Sequence, residues 1–389
     1  MRRTGTYATS TTLGESVLAF VPRRLPPANP ALAPEAFVAR NRNAELALAR
    51  LSGVSGLVPS VDWLLYSAIR KEALLTSQIE GTQATLTDLF DQEAGLAIRN
   101  TDDVAEVTNY LRAHQLVRDN LRAPSGLPIS VRLLCDAHRL LLDGARGAGK
   151  QPGELRRSQN WIGGTRPGNA VFVPPPPGRV PALLADLERF VHQKSPKLAP
   201  SLPPLVRVAL VHVQFETIHP FLDGNGRIGR LLIAALMEDW GLLPEPLMYL
   251  SGYLKQHQAE YYRRLSAVRS DGKNGGDWEG WVAFFLEGVE TAAADAERGI
   301  VAIASLVAAD RRRLLAAPKA GAVSLRLFEL LPMMPRFTIE QVRQKLSTSF
   351  PTATAAVKLL EELGIVSELT GQKKNRSFSY QAYIELLSG

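Results

Sequence analysis

The chain has one cysteine, Cys135, so no intrachain disulfide can form. That fits a reducing compartment, and the expectation is a cytoplasmic protein. It also lacks any apolar run long enough to cross a bilayer, which argues against a membrane partner. The start, Met1-Arg2-Arg3-Thr4, is basic but is not followed by the continuous apolar stretch of a secretory leader. Charge is not extreme: 45 Lys and Arg against 38 Asp and Glu give +7, a mild excess compatible with a nucleotide or weak nucleic-acid partner. What remains is an ordinary globular composition, with 389 residues and 46% hydrophobic content, enough for two or three domains.

The most concentrated stretch runs His219-Pro220-Phe221-Leu222-Asp223-Gly224-Asn225-Gly226-Arg227-Ile228-Gly229-Arg230. Before it, Leu205, Val208, His212, Phe215 and His219 recur at helical steps, which places His219 on the inner edge of a helix over 203–219. After it, Ile228, Leu231, Leu232 and Ala235 restart helical periodicity. The glycines fall at the N-terminus of that second helix, where free N–H groups and the helix dipole favour an anion. Gly224 and Gly226 permit close backbone approach, and Arg227 and Arg230 share a helix side and can fork onto phosphate oxygens. Asn225 adds a hydrogen-bonding amide, Asp223 a hard oxygen ligand suited to Mg²⁺, and His219 a base in the working pH range. The residues point to a nucleotide polyphosphate, a metal and a hydroxyl nucleophile.

This stretch resembles the signature of the Fic family, HPFx[DN]GNGRxxR, with no departure at any specified position. The resemblance covers about residues 60–300 and implies a protein AMP-transferase. Such an enzyme moves AMP from ATP to hydroxyl side chains of target proteins, with His219 as base and Asp223 as the Mg²⁺ ligand. It also implies an ATP site formed by Glu80, His219, Gly224, Asn225, Gly226, Arg227, Ile228, Gly229, Arg230 and Tyr262. Tyr262 is the second tyrosine of a helical pair over 255–269, the one that lines the adenosine pocket in relatives. Arg269 stands where many relatives have Asn and is left out of the site.

A second informative stretch lies upstream. Ser60-Val61-Asp62-Trp63 reads as an N-cap opening a helix over 61–80, and Ile69, Ala73, Thr76 and Glu80 share one of its faces. Gly81 follows in the position that ends helices. Glu80 either extends into solvent at the helix end or needs a cationic partner. Thr76–Gly81 resembles the Fic inhibitory motif [ST]xxxE[GN] in its N-terminal form. The resemblance implies that Glu80 pairs with Arg230 and keeps that arginine from the γ-phosphate.

Elsewhere, residues 1 to about 33 read as an extended arm, with Pro26, Pro27 and Pro30 excluding helix. Helices are expected at 34–51, 102–121, 130–142 and 180–194, with a flexible connector at Gly144–Gly149. Two β-type runs over 153–164 and 169–173 suggest a hairpin, which the resemblance assigns to the Fic flap that holds a target segment by backbone pairing. An Ala-rich helix at 288–316 ends in Arg311-Arg312-Arg313. Beyond it, helices at 325–331, 338–346 and 352–363 and strands at 365–369 and 377–380 flank a basic turn, Gly371–Arg376, and together resemble a winged helix-turn-helix.

The expected fold is therefore mainly α: a Fic-type helical core with a β-hairpin flap and a C-terminal winged module. The expected divisions are 1–100, 101–290, a linker helix at 291–319, and 320–389. Two alternatives stay open beside AMP transfer to targets and to the chain itself: a DNA-binding regulator whose core senses nucleotide, and an enzyme that also removes AMP. A homodimer is a further candidate assembly.

Overall fold

The computed structural model describes residues 4–28, 30–144, 148–193, 202–269, 276–372 and 375–388. The described chain is mainly helical, with two small sheets. The expected arm is instead an antiparallel hairpin, Gly5–Thr12 (β1) and Glu15–Pro22 (β2). Its two-residue turn places Leu13 at φ 49° and Gly14 at φ 78°, the doubly positive turn that matches strand twist. The Thr-rich run lacks clear apolar alternation because Thr6–Thr12 is largely exposed, and that hid the strand.

Val38–Val54 (α1) follows, then Val61–Ile79 (α2), capped by Ser60, whose side chain accepts from the Asp62 N–H. Leu86–Glu93 (α3), not expected from sequence, starts with a capping box between Thr85 and Asp88. Thr101–Arg122 (α4) and Val131–Leu141 (α5) match the expected helices, and Val180–His192 (α6) ends just short of 194, which lies outside the described residues. Part of the expected connector, 145–147, also lies outside them.

Pro204–Ile218 (α7) is the centre of the core: Leu205 and Val206 are buried, and so is every residue from Val208 to Ile218. It is buried on all sides over that span, as a helix surrounded by others must be, and carries His212, Gln214, Glu216 and Thr217 inward as well as apolar residues. Asn225–Asp239 (α8) packs against it, and Trp281 donates its indole N–H to the Ala209 carbonyl at 2.8 Å. The expected helix over 255–269 is broken at His257 into Leu250–Gln256 (α9) and Gln258–Arg269 (α10). The Ala-rich helix is longer than expected. Trp278–Leu315 (α11) is one 38-residue helix, and residues 288–315 are its continuation.

The C-terminal elements are Ala322–Leu330 (α12), Arg336–Thr338 (β3), Ile339–Leu346 (α13), Phe350–Glu362 (α14), Ser367–Glu368 (β4), Ser377–Ser379 (β5) and Gln381–Ser388 (α15). The strands pair antiparallel in the order β3-β5-β4. β3 and α15 were not anticipated. The module is tied to the rest by Arg336 to Asp91 at 2.8 Å and by the Tyr380 hydroxyl to Asp310 at 2.7 Å. Lys373 and Lys374 of the basic turn lie outside the described residues. No helix among the described residues is long and apolar enough to cross a membrane.

Candidate active site

α7 ends one residue earlier than its periodicity suggests. His219 is its C-cap, in the left-handed region at φ 51° and ψ 61°, with its N–H on the Phe215 carbonyl at 2.9 Å. A non-glycine residue there turns the chain sharply, so the His219 ring leaves the helical stripe that Leu205 to Phe215 follow. Burial pushes its pKa down to about 3, Arg269 and Arg156 adding to the shift while the Glu216 carbonyl opposes it. The ring is therefore neutral at physiological pH, the form a base requires.

The turn that follows is held from several sides. Arg156 is buried and, among the described residues, donates to carbonyl oxygens: Nε to His219 at 2.8 Å, Nη1 to Ser158 at 3.3 Å, and Nη2 to Pro175 at 2.5 Å and Ile218 at 3.4 Å. Asn225 closes the turn on itself, with Oδ1 accepting the Phe221 N–H and Nδ2 donating to the Phe221 carbonyl, both at 2.9 Å. That leaves one amide N–H for a ligand. His138, from α5, lies underneath. Its Nδ1 accepts the Gly153 N–H at 2.9 Å, so its Nε2 carries the proton and donates to the Asp223 carbonyl at 3.0 Å. Burial lowers the His138 pKa to about 4, and its ring stacks on Phe221 at 3.8 Å.

Asp223 is exposed, with one carboxylate oxygen on the Gly224 N–H at 2.6 Å. Gly224, at φ 73°, is the N-cap of α8, and the helix receives no side-chain cap. Its first N–H groups are thus available to an anion. A Cβ on Gly226 would stand 2.3 Å from Glu80 Oε1, so glycine is needed for that carboxylate to reach the helix. A Cβ on Gly229 would stand 2.5 Å from Glu216 Oε1, so this glycine serves the contact of α7 with α8. Ile228 is buried in the core and its N–H goes to the Gly224 carbonyl at 3.0 Å.

The two signature arginines are both buried, and they are held differently. Arg230 donates through Nε to Thr76 Oγ1 at 2.6 Å, and through Nη2 to the Thr76 carbonyl at 3.1 Å and Glu80 Oε1 at 2.5 Å. Arg227 donates through Nη1 to Glu106 Oε2 at 3.1 Å, and its Nε is buried without a partner. Glu80 is the C-cap of α2, and Gly81 follows at φ 102°. The structure thus brings Glu80 to Arg230 and to the first turn of α8 across 150 positions of sequence.

Tyr261 is buried, with its hydroxyl on His212 Nε2 at 2.9 Å. Tyr262 is 45% exposed, close enough to Glu80 and Arg230 for both to act on its phenol. The flap reduces to one antiparallel bridge, Ile162 with Phe172, instead of two full strands. β2 joins it through the Phe20 N–H to the Val173 carbonyl at 2.9 Å. Arg269 is buried, donates to Thr217 Oγ1 at 3.2 Å and lies 4.5 Å over the Phe172 ring. It links the flap to the residues beside His219. Sequence reasoning passed over Arg156, His138 and Glu106, and it weighed Arg269 but left it out of the site. Only Arg269 carried a signal, its helical spacing from Tyr262.

Residues 38–118 match the Fic/DOC family N-terminal model, and residues 128–237 match the Fic/DOC family model. The protein adenylyltransferases Fic of Drosophila grimshawi and Drosophila virilis are each 33% identical over 218 residues, covering 54% of this chain and 39% of theirs. The match therefore spans well under half the length of those relatives. Among solved structures, a Fic family protein from Desulfovibrio desulfuricans G20 superposes with a TM-score of 0.56 at 21% identity, covering 90% of this chain and 97% of that one. Fic-1 from C. elegans superposes with a TM-score of 0.51 at 22% identity, covering 68% and 74%. These superpositions show a common fold. The chain carries a Fic-family domain, its N-terminal region over residues 38–118 and its signature-bearing region over residues 128–237.

Proposed function

We propose that this chain is a protein AMP-transferase that moves AMP from ATP to Ser, Thr or Tyr hydroxyls of target proteins and of itself. One observation carries the reading. A neutral, half-buried histidine and two buried arginines flank a helix N-terminus that has no side-chain cap. His219 takes the hydroxyl proton, the oxygen bonds to the α-phosphorus, and the bond from that phosphorus to the bridging oxygen breaks. Pyrophosphate leaves with its charge met by the α8 N–H groups and by Arg227 and Arg230. Tyr262 offers its exposed ring to the adenosine.

Mg²⁺ fits Asp223. This carboxylate is exposed and spends one oxygen on the loop, and no cluster of three metal-ligating side chains occurs among the described residues. That suits an ion held by a single carboxylate with phosphates and water, where it would neutralise phosphate charge.

We further propose that the chain is autoinhibited, because the Nε and Nη2 edge of Arg230 is filled by Thr76 and Glu80. Among the described residues of the C-terminal module, Lys358 pairs with Glu362 at 3.7 Å and Arg376 with Glu361 at 3.5 Å. These pairs favour a docking module over a reader of DNA.

The test is incubation of the chain and a cell lysate with ATP and Mg²⁺, read by intact and peptide mass. The expected result is a gain of one AMP on hydroxyl residues, absent in His219→Ala although that variant still binds ATP. Transfer that persists in His219→Ala would sink its assignment as base.

A further inference from the structure

α4 faces both halves of the site. Asp103 accepts the Gln83 N–H at 2.6 Å, which fixes the turn after Glu80. One helical turn on, Glu106 accepts from Arg227 at 3.1 Å. The same helix face therefore spans the inhibitory turn and the first turn of α8.

The two carboxylates that meet the signature arginines use different edges. On Arg230 the partners fill Nε and Nη2, the side edge that makes two parallel bonds to an oxyanion. On Arg227 the partner sits at Nη1 and the buried Nε has no partner. A buried donor without a partner is costly, so it calls for an acceptor from outside. Glu80 therefore competes with phosphate, whereas Glu106 holds Nη1 of its guanidinium and leaves Nε for an incoming acceptor.

We infer that Glu106 is a positioning residue, which orients Arg227 toward a nucleotide phosphate and keeps that half of the site ready while Arg230 is held. This rests on the nucleotide reading above. It assigns Glu106 and Glu80 opposite effects, although each is a carboxylate paired with a signature arginine. In the inhibited state ATP meets one prepared arginine and one that is occupied.

The test uses the full chain with Glu80→Gly and His219→Ala, which removes the charged contact on Arg230 and prevents turnover. Calorimetry gives the affinity for ATP and for adenosine. Adding Glu106→Gln should weaken ATP about tenfold, the scale of one charge-assisted contact, and leave adenosine within about twofold. With Arg227→Ala also present, Glu106→Gln should change ATP affinity no further, because the two act as one unit. Glu106→Asp, which keeps the charge on a shorter stem, should fall between.

Equal losses for ATP and adenosine would overturn the inference in favour of a general structural role. Tighter ATP binding in Glu106→Gln, or faster AMP transfer with Glu80 intact, would make Glu106 a second lock and also overturn it. The binding arms stand whether or not the chain transfers AMP, so failure of the reaction and failure of this inference are told apart.

Discussion

Glu80→Gly removes one of three contacts to Arg230, and the structure sets the size of the effect. The lost contact is the charged one, Nη2 to Oε1 at 2.5 Å. Hydrogen bonds between charged groups contribute about 1.5–3 kcal/mol, so release should raise productive ATP engagement roughly 10- to 150-fold. The gain is partial because Thr76 still holds Nε and one carbonyl contact.

The variant also leaves Arg230 buried with less countercharge. Glu216 is near, but burial raises its pKa to about 7, so it is only partly ionised at neutral pH. Losing one partner of a buried pair costs about 3–5 kcal/mol. Here the Glu80 side chain is 33% exposed, so water reaches the gap and about 1–2 kcal/mol is expected. The variant should melt a few degrees lower and gain more from ATP with Mg²⁺ than the parent does, since phosphate fills the vacated edge. Differential scanning fluorimetry with and without ATP reads both, and AMP transfer reads the release. An ATP-induced gain no larger than the parent's, with transfer unchanged, would refute the reasoning.

Gly226→Ala puts a methyl 2.3 Å from Glu80 Oε1 and 3.0 Å from Arg230 Nη1. It should displace Glu80 and narrow the approach to the α8 N-terminus; calorimetry should show weaker ATP binding, and unchanged affinity would remove Gly226 from the site. His138→Phe keeps the stack on Phe221 but strands the Gly153 N–H and the Asp223 carbonyl, at about 1–3 kcal/mol each. It should lower the melting temperature and weaken Mg²⁺-dependent ATP binding, and a wild-type melt would show that the two bonds are dispensable.

Acid should destabilise the fold. Burial holds His114 and His138 at about 4 and His212 and His219 at about 3, below the usual 6.5. Between pH 6.5 and 4 the unfolded chain takes up protons that the folded chain refuses, so this stability is present above 6.5 and lost as pH falls. Glu216, Glu72 and Asp91 have raised values and act in the opposite sense, but the four histidines outnumber them. Melting temperature should fall from pH 7 to 5, and a rise over that range would contradict the burial of these rings.

The signature was legible in sequence because its chemistry is local. A stretch of twelve residues carries the histidine, the glycines and both arginines, and helical spacing on either side orients them. The end of α2 at Glu80 was legible for the same reason, since a stripe and a terminating glycine are short-range patterns. The N-terminal hairpin escaped because its strand is exposed and lacks apolar alternation. α3 escaped because its cap, Thr85 with Asp88, is a weak signal without tertiary support.

The amino-acid order alone determined which groups can meet a phosphate and which helix ends near an acidic residue. Only the tertiary structure decided which edge of each guanidinium is free. Arg230 meets Glu80 across 150 positions, Arg227 meets Glu106 across 121, and His138 meets Asp223 across 85. Such contacts follow from how α2, α4, α5, α7 and α8 pack, and no spacing along the chain encodes them. A buried arginine reads the same in sequence whether its partner blocks the phosphate edge or steadies the opposite one. That difference depends on distances of a few ångströms between helices far apart in the chain.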